Sequence, residues 1–196
     1  MIWESNVWKD DLLRKADMLE RRQKQTRWVP ASFARVEQDL MLGFYAIRKL
    51  IEAKKLCDSI VGQSVDLVIY PSTGDIPNLL NWHHIERFYN FEKGSNEFRN
   101  LLYVCHQIVH SYIFVPIFSE SQQGLSGILF TSDRQRSDIL HFASVDEIIR
   151  LFRQIGHDYP KHSRQTWNSK KGDYDITSET AAGPIGPGIF LKTKSK

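Results

Sequence analysis

Residues Ser95 to Phe114, SNEFRNLLYVCHQIVHSYIF, decide how this chain is read. The stretch predicts one helix, and after it the period of the apolar residues changes from helical to two. On a single helix Arg99, Tyr103, His106 and His110 are spaced four, three and four apart, which puts them on one stripe. Asn100 and Gln107 form a parallel row beside it. A helix this apolar belongs in a core, and buried Arg, His and Asn need partners or chemistry to perform.

Upstream the spacing is helical. Asp10 to about Arg27 predicts a charged helix with pairs four apart: Asp10–Arg14, Asp11–Lys15, Asp17–Arg21 and Glu20–Lys24. Trp28-Val29-Pro30 ends it, and Pro30 suits the first turn of the next helix. That second helix is expected from Ala31 to about Val61, through Phe33, Val36, Leu40, Phe44, Ile47, Leu50, Ile51, Leu56, Cys57 and Ile60. Gly43 in its middle marks either a close approach by another helix or a kink. Val65 to Tyr70 reads as a short strand closed by Pro71, and Asn78 to Phe91 fits a helix only in part.

Downstream, Val115–Ser119, Gly127–Ser132 and Asp138–Ala143 predict three strands, the last two joined by a turn at residues 133–137. Ser144-Val145-Asp146-Glu147 has the form of a capping box and opens a helix that stops at Gly156. The expectation is a single α+β domain over residues 1–160. In it a helix-dominated bundle (about 9–114) is followed by a small antiparallel sheet and a C-terminal covering helix (about 115–158). Residues 161–196 read as a basic, Gly/Pro-containing tail.

Charge narrows the function classes. Residues 161–196 hold seven Lys/Arg against three Asp/Glu, which leaves 19 bases and 20 acids in the first 160 residues. The body is therefore not a basic nucleic-acid platform by bulk charge. No run of apolar residues is long enough to span a membrane, and the first residues lack the apolar core of a secretory signal. Cys57 and Cys105 sit in apolar helical contexts and read as reduced thiols of a cytoplasmic protein.

Arg99-Asn100 followed by His106 resembles the motif of HEPN-domain proteins: an Arg, a polar residue directly after it, and a His four to six residues beyond the Arg. Here six residues stand between Arg99 and His106, and the departures from the family pattern are a strand after the second helix and the competing His110. The resemblance, over about residues 10–114, implies a helical bundle acting as a homodimer on RNA, without metal or other cofactor. It assigns the catalytic role to Arg99, Asn100 and His106, with His110 competing as the base. His would move the proton and Arg would steady the developing phosphorane charge. Tyr103, with His83, His84 and Arg87, mixes aromatic and basic groups as base-stacking surfaces do.

Two other readings stand beside it. Cys105, His106 and His110, with His83 or His84, offer ligand types for zinc, although clustered cysteine spacing is absent. Alternatively the stripe is a structural polar cluster tied to Asp39, Glu52 or Glu86 in a non-catalytic interaction protein. In that case the run Phe33, Val36, Leu40, Ile47 and Leu50 suits a helical dimer.

Overall fold

Period-two structure begins earlier in the chain than the sequence pattern implies. The computed structural model describes residues 2–119 and 124–179. Helices α1 (Asn6–Gln23), α2 (Pro30–Glu52) and the single turn α3 (Asp58–Val61) come first, followed by strand β1 (Ser64–Pro71). An irregular segment carrying the turn α4 (Ile85–Phe88) leads to β2 (Ser95–Asn100) and α5 (Leu101–Val109). Then come β3 (Ser111–Phe118), β4 (Leu125–Ser132), β5 (Ile139–Ser144), α6 (Val145–Gly156) and the pair β6 (His162–Asn168) and β7 (Asp173–Glu179).

Five strands form one antiparallel sheet in the order β2-β1-β5-β4-β3. The chain is α+β, but the expected helix-dominated bundle is not what forms. The sheet is the centre, and α1, α2, α5 and α6 pack against one of its faces. Val65, Leu67, Ile128, Phe130 and Ala143 point from the sheet into that core. The opposite face carries Leu129, Leu140 and Ile113, covered by Phe88 and Tyr89 from the segment between β1 and β2. Two-sided burial explains why β4 is buried along most of its length rather than alternating between buried and exposed.

The Ser95–Phe114 helix is a correction. It splits into β2, α5 and β3 because Asn100 caps α5, its side chain accepting the Tyr103 backbone N–H at 2.7 Å. Upstream of that cap the chain is extended and pairs with β1, Val65 opposite Arg99 and Leu67 opposite Glu97. The second helix is also shorter than expected. It stops at Glu52, and Lys54 adopts a positive φ of 55°, the left-handed geometry of a helix C-cap. At Gly43 the close-approach expectation is met. What comes close is a side chain of another helix: a Cβ there would stand 2.3 Å from the ring of Phe152, which reaches over from α6.

Val36, Leu40, Ile47 and Leu50 are fully buried within the chain, so that face of α2 is not free for a helical dimer. At α6 the Ser144 hydroxyl accepts the Glu147 backbone N–H at 3.2 Å, as the capping box requires. The Glu147 carboxylate turns away, to the Asp66 N–H and to Arg150. The tail is a further correction. His162–Glu179 forms a hairpin, Trp167 packing edge-on against Tyr174 and Gly172 turning with a φ of 63°. The Gly/Pro-containing part beyond it lies outside the described residues.

Among the described residues no helix is long and apolar enough to cross a membrane. Cys57 and Cys105 are free and buried, and burial pushes both thiols up to about 12.

Candidate functional site

Asn100, Leu102, Tyr103, His106, Gln107 and His110 line one side of an open groove of about 670 Å³. Ser132, Asp133, Arg134 and Gln135, from the β4–β5 turn, form the other side. Five of the six residues that the sequence places in two rows, all but Arg99, therefore meet at one cavity, although no single helix carries them. Helical spacing still holds for Tyr103, His106 and His110, the last being the C-cap of α5. Asn100 joins them as the N-cap.

Arg99 does not line the groove. It stands on β2, where its guanidinium pairs with Glu97 at 2.7 Å and lies 5.0 Å over the ring of Tyr103. None of the carboxylates considered from sequence binds it: Asp39 pairs with Lys15, Glu52 with Arg48 and Lys49, and Glu86 with His84.

His106 and His110 are both exposed, their rings 5.7 Å apart and roughly perpendicular. The two histidines differ in their hydrogen bonds. Arg48 Nη1 stands 3.1 Å from His110 Nε2. A guanidinium only donates, so Nε2 accepts and the His110 proton sits on Nδ1, free to be donated. Arg48 is itself fixed by Glu52 at 2.9 Å. By contrast, no hydrogen bond to the imidazole of His106 is present among the described residues.

Behind the groove lies a buried network that the sequence reading missed. His141, on β5, is fully buried and stacks on Phe130 with an interplanar angle of 17°. Burial holds its pKa down at about 4, with the nearby Arg99 charge pressing the same way. Its Nδ1 lies 3.3 Å from the Phe130 carbonyl, which can only accept, so Nδ1 carries the proton. Nε2 then accepts from the Tyr103 hydroxyl at 2.9 Å. The Gln135 amide faces the same hydroxyl oxygen-first at 2.6 Å. Tyr103 has one proton to give, so with His141 neutral this amide must turn over and donate its own N–H. The signal for His141 was its place in Ile139-Leu140-His141-Phe142, a lone imidazole inside an apolar strand.

Gln107 is also fixed, its side-chain oxygen accepting the Ser132 backbone N–H at 3.1 Å. It therefore ties α5 to the end of β4 and holds the two walls of the groove together.

His83, His84 and Arg87 are not brought to this groove. They lie in the segment covering the other sheet face, the two rings 4.1 Å apart and Arg87 paired with Asp75 at 3.2 Å. The zinc reading finds no cluster of three His, Cys, Asp or Glu side chains among the described residues. Cys105 points into the core rather than toward the two histidines of the groove.

Compared with known proteins, the chain matches no family model, no curated protein and no solved structure.

Proposed function

We propose that the α5 groove binds RNA and cleaves it without a metal ion. The observation that carries this reading is the pairing of two exposed imidazoles on one open groove, one held by Arg48 and the other unengaged. Strand cleavage needs a base for the ribose 2′-hydroxyl, an acid for the leaving oxygen and donors for the phosphorane. His106 takes the 2′-hydroxyl proton. The 2′-oxygen bonds to phosphorus, the bond to the 5′-oxygen breaks, and that oxygen takes the proton from the imidazolium so formed. His110 Nδ1–H and Arg134 supply donors to the phosphate oxygens. Arg99, engaged by Glu97, acts only through the Tyr103 ring in this scheme. The setting is a cytoplasmic RNA-directed protein, a toxin or defence component of HEPN-like type.

End-labelled mixed-sequence RNA incubated in EDTA tests this. Cleavage should fall by about 10²-fold or more in His106→Ala while circular dichroism is unchanged. An intact wild-type protein that cuts none of a broad set of RNAs overturns the catalytic reading.

A second reading, a non-catalytic protein acting as a homodimer, is favoured by a different observation. Large apolar side chains are exposed at Phe98, Ile76, Leu79 and Leu80, away from the groove.

A further inference from the structure

The free edge of the sheet is written so that it can pair with itself. β2 is the terminal strand, and among the described residues no strand lies on its outer side. Which backbone groups point outward follows from β1. Asp66 N–H points toward Glu147 and Ser72 N–H toward Asp138 O, both on the β5 side. Pro71 O faces the other way, accepting from Asn90 N–H. Even-numbered residues of β1 thus address β5 and odd-numbered ones address β2. Glu97 and Arg99, opposite Leu67 and Val65, therefore bond inward. Asn96 and Phe98 present their N–H and C=O groups to the outside and Asn100 its N–H, the Asn100 C=O being taken by the first turn of α5.

The side chains along this edge read Asn96-Glu97-Phe98-Arg99-Asn100. An antiparallel copy centred on Phe98 sets Phe98 against Phe98, Asn96 against Asn100, and Glu97 against Arg99 on both sides of the axis. Phe98 and the Asn pairs fall in hydrogen-bonded positions. Each Glu97–Arg99 pair falls in the non-hydrogen-bonded position, where side chains come closest. The ring of Phe98 is 71% exposed, an unusual state for a large apolar side chain on a bare edge. Within one chain the Glu97–Arg99 contact is incomplete: Glu97 Oε2 and Arg99 Nε are buried with no hydrogen-bond partner. The opposite edge strand, β3, is broken by Pro116, which has no N–H to offer.

We infer that a second copy of this chain docks on β2, joining the two sheets into one continuous antiparallel sheet about a two-fold axis at Phe98. The interface is isologous, so each Glu97 meets the partner's Arg99 and each Arg99 the partner's Glu97. This inference is independent of the RNA reading.

Charge reversal tests it, because the geometry fixes which combinations can pair. In E97R every cross-strand charge pair becomes Arg–Arg, and in R99E every one becomes Glu–Glu. Each variant alone should dissociate about thirtyfold more readily than wild type in sedimentation equilibrium. Mixing the two variants in equal amounts restores opposite charges at both positions and should regain the dimer, as should the double variant E97R/R99E. Phe98→Pro, which removes an outward N–H and leaves the inward bonds to β1, should be monomeric with unchanged circular dichroism. The inference is overturned if the wild-type protein stays monomeric at every accessible concentration. It is equally overturned if a wild-type dimer survives E97R, R99E and Phe98→Pro alike, or if the mixed variants regain nothing.

Discussion

Among the described residues two basic side chains are fully buried, Lys9 and His141, and they are built into opposite kinds of network. The Lys9 amine donates to the Lys55 carbonyl at 2.9 Å and to the Asp158 carbonyl, and lies 4.3 Å over the ring of Tyr159. Asp158 in turn takes the Cys57 backbone N–H on its carboxylate at 2.7 Å. Each of these partners belongs to a loop or the end of an element. The network fastens the start of α1 to the turn after α2 and to the chain leaving α6, and none of its members lines the α5 groove. The His141 network instead runs through Tyr103 to Gln135, and both of those residues line the groove. Burial of a charged or titratable side chain therefore does not by itself mark a site. What distinguishes the two is whether the chain of hydrogen bonds ends on backbone or on an open surface.

The contrast can be broken at either end. The largest effect is expected from Lys9→Met, which keeps the aliphatic stem but leaves the buried Asp158 carbonyl and the half-buried Lys55 carbonyl without their donor. At about 1–3 kcal/mol for each, stability should fall by about 2–6 kcal/mol in urea denaturation. The groove should be untouched, so any RNA binding should persist in the folded fraction. A loss under 1 kcal/mol would mean that the Lys9 network is not the fastening described.

Acid should act on the other network. His141 titrates at about 4 in the folded chain, against about 6.5 when unfolded. Below pH 6.5 the unfolded chain takes up a proton that the folded chain refuses. The stabilising contribution is complete above that pH and is lost as pH falls toward 4. The total is about 3 kcal/mol, at about 1.4 kcal/mol per pH unit. Denaturation midpoints measured from pH 7 to pH 4 should show this slope, and His141→Phe should flatten it. An unchanged slope in that variant would remove His141 as its source.

The smallest effect sharpens the comparison most. Tyr103→Phe deletes the link between His141 and the groove, at a cost of about 1 kcal/mol. Without its hydroxyl partner the Gln135 amide is released. Ligand affinity should then change by more than stability does, as isothermal titration with RNA against urea denaturation can show. Equal effects on both would make Tyr103 part of the scaffold alone.

The legibility of this chain from sequence was uneven for identifiable reasons. The Ser144 cap, the stop at Gly156 and the strands β4 and β5 were all readable, because each is encoded within a few neighbouring residues. Tyr103, His106 and His110 were correctly placed on one helical face. Arg99 was not, because Ser95–Asn100 has no strong local preference and becomes a strand only by pairing with β1. The hairpin β6–β7 was missed for a related reason. Its exposed polar residues give no clear alternation, and its one conspicuous feature, Trp167 against Tyr174, appears only once the two strands are paired.

What the sequence determined by itself is the α+β composition, the helical phase of α5 and the presence of imidazole and hydroxyl groups along it. Those features rest on spacing within a turn or two, where neighbours in the chain are neighbours in space. Only the tertiary structure decided that a sheet and not a helical bundle is the centre, and that Gln135 and His141 stand beside Tyr103. It also decided that Arg99 stands on an edge strand, against Glu97 and the Tyr103 ring, instead of lining the groove. These outcomes depend on contacts between residues far apart in the chain, and one strand's pairing partner decides which way its side chains point.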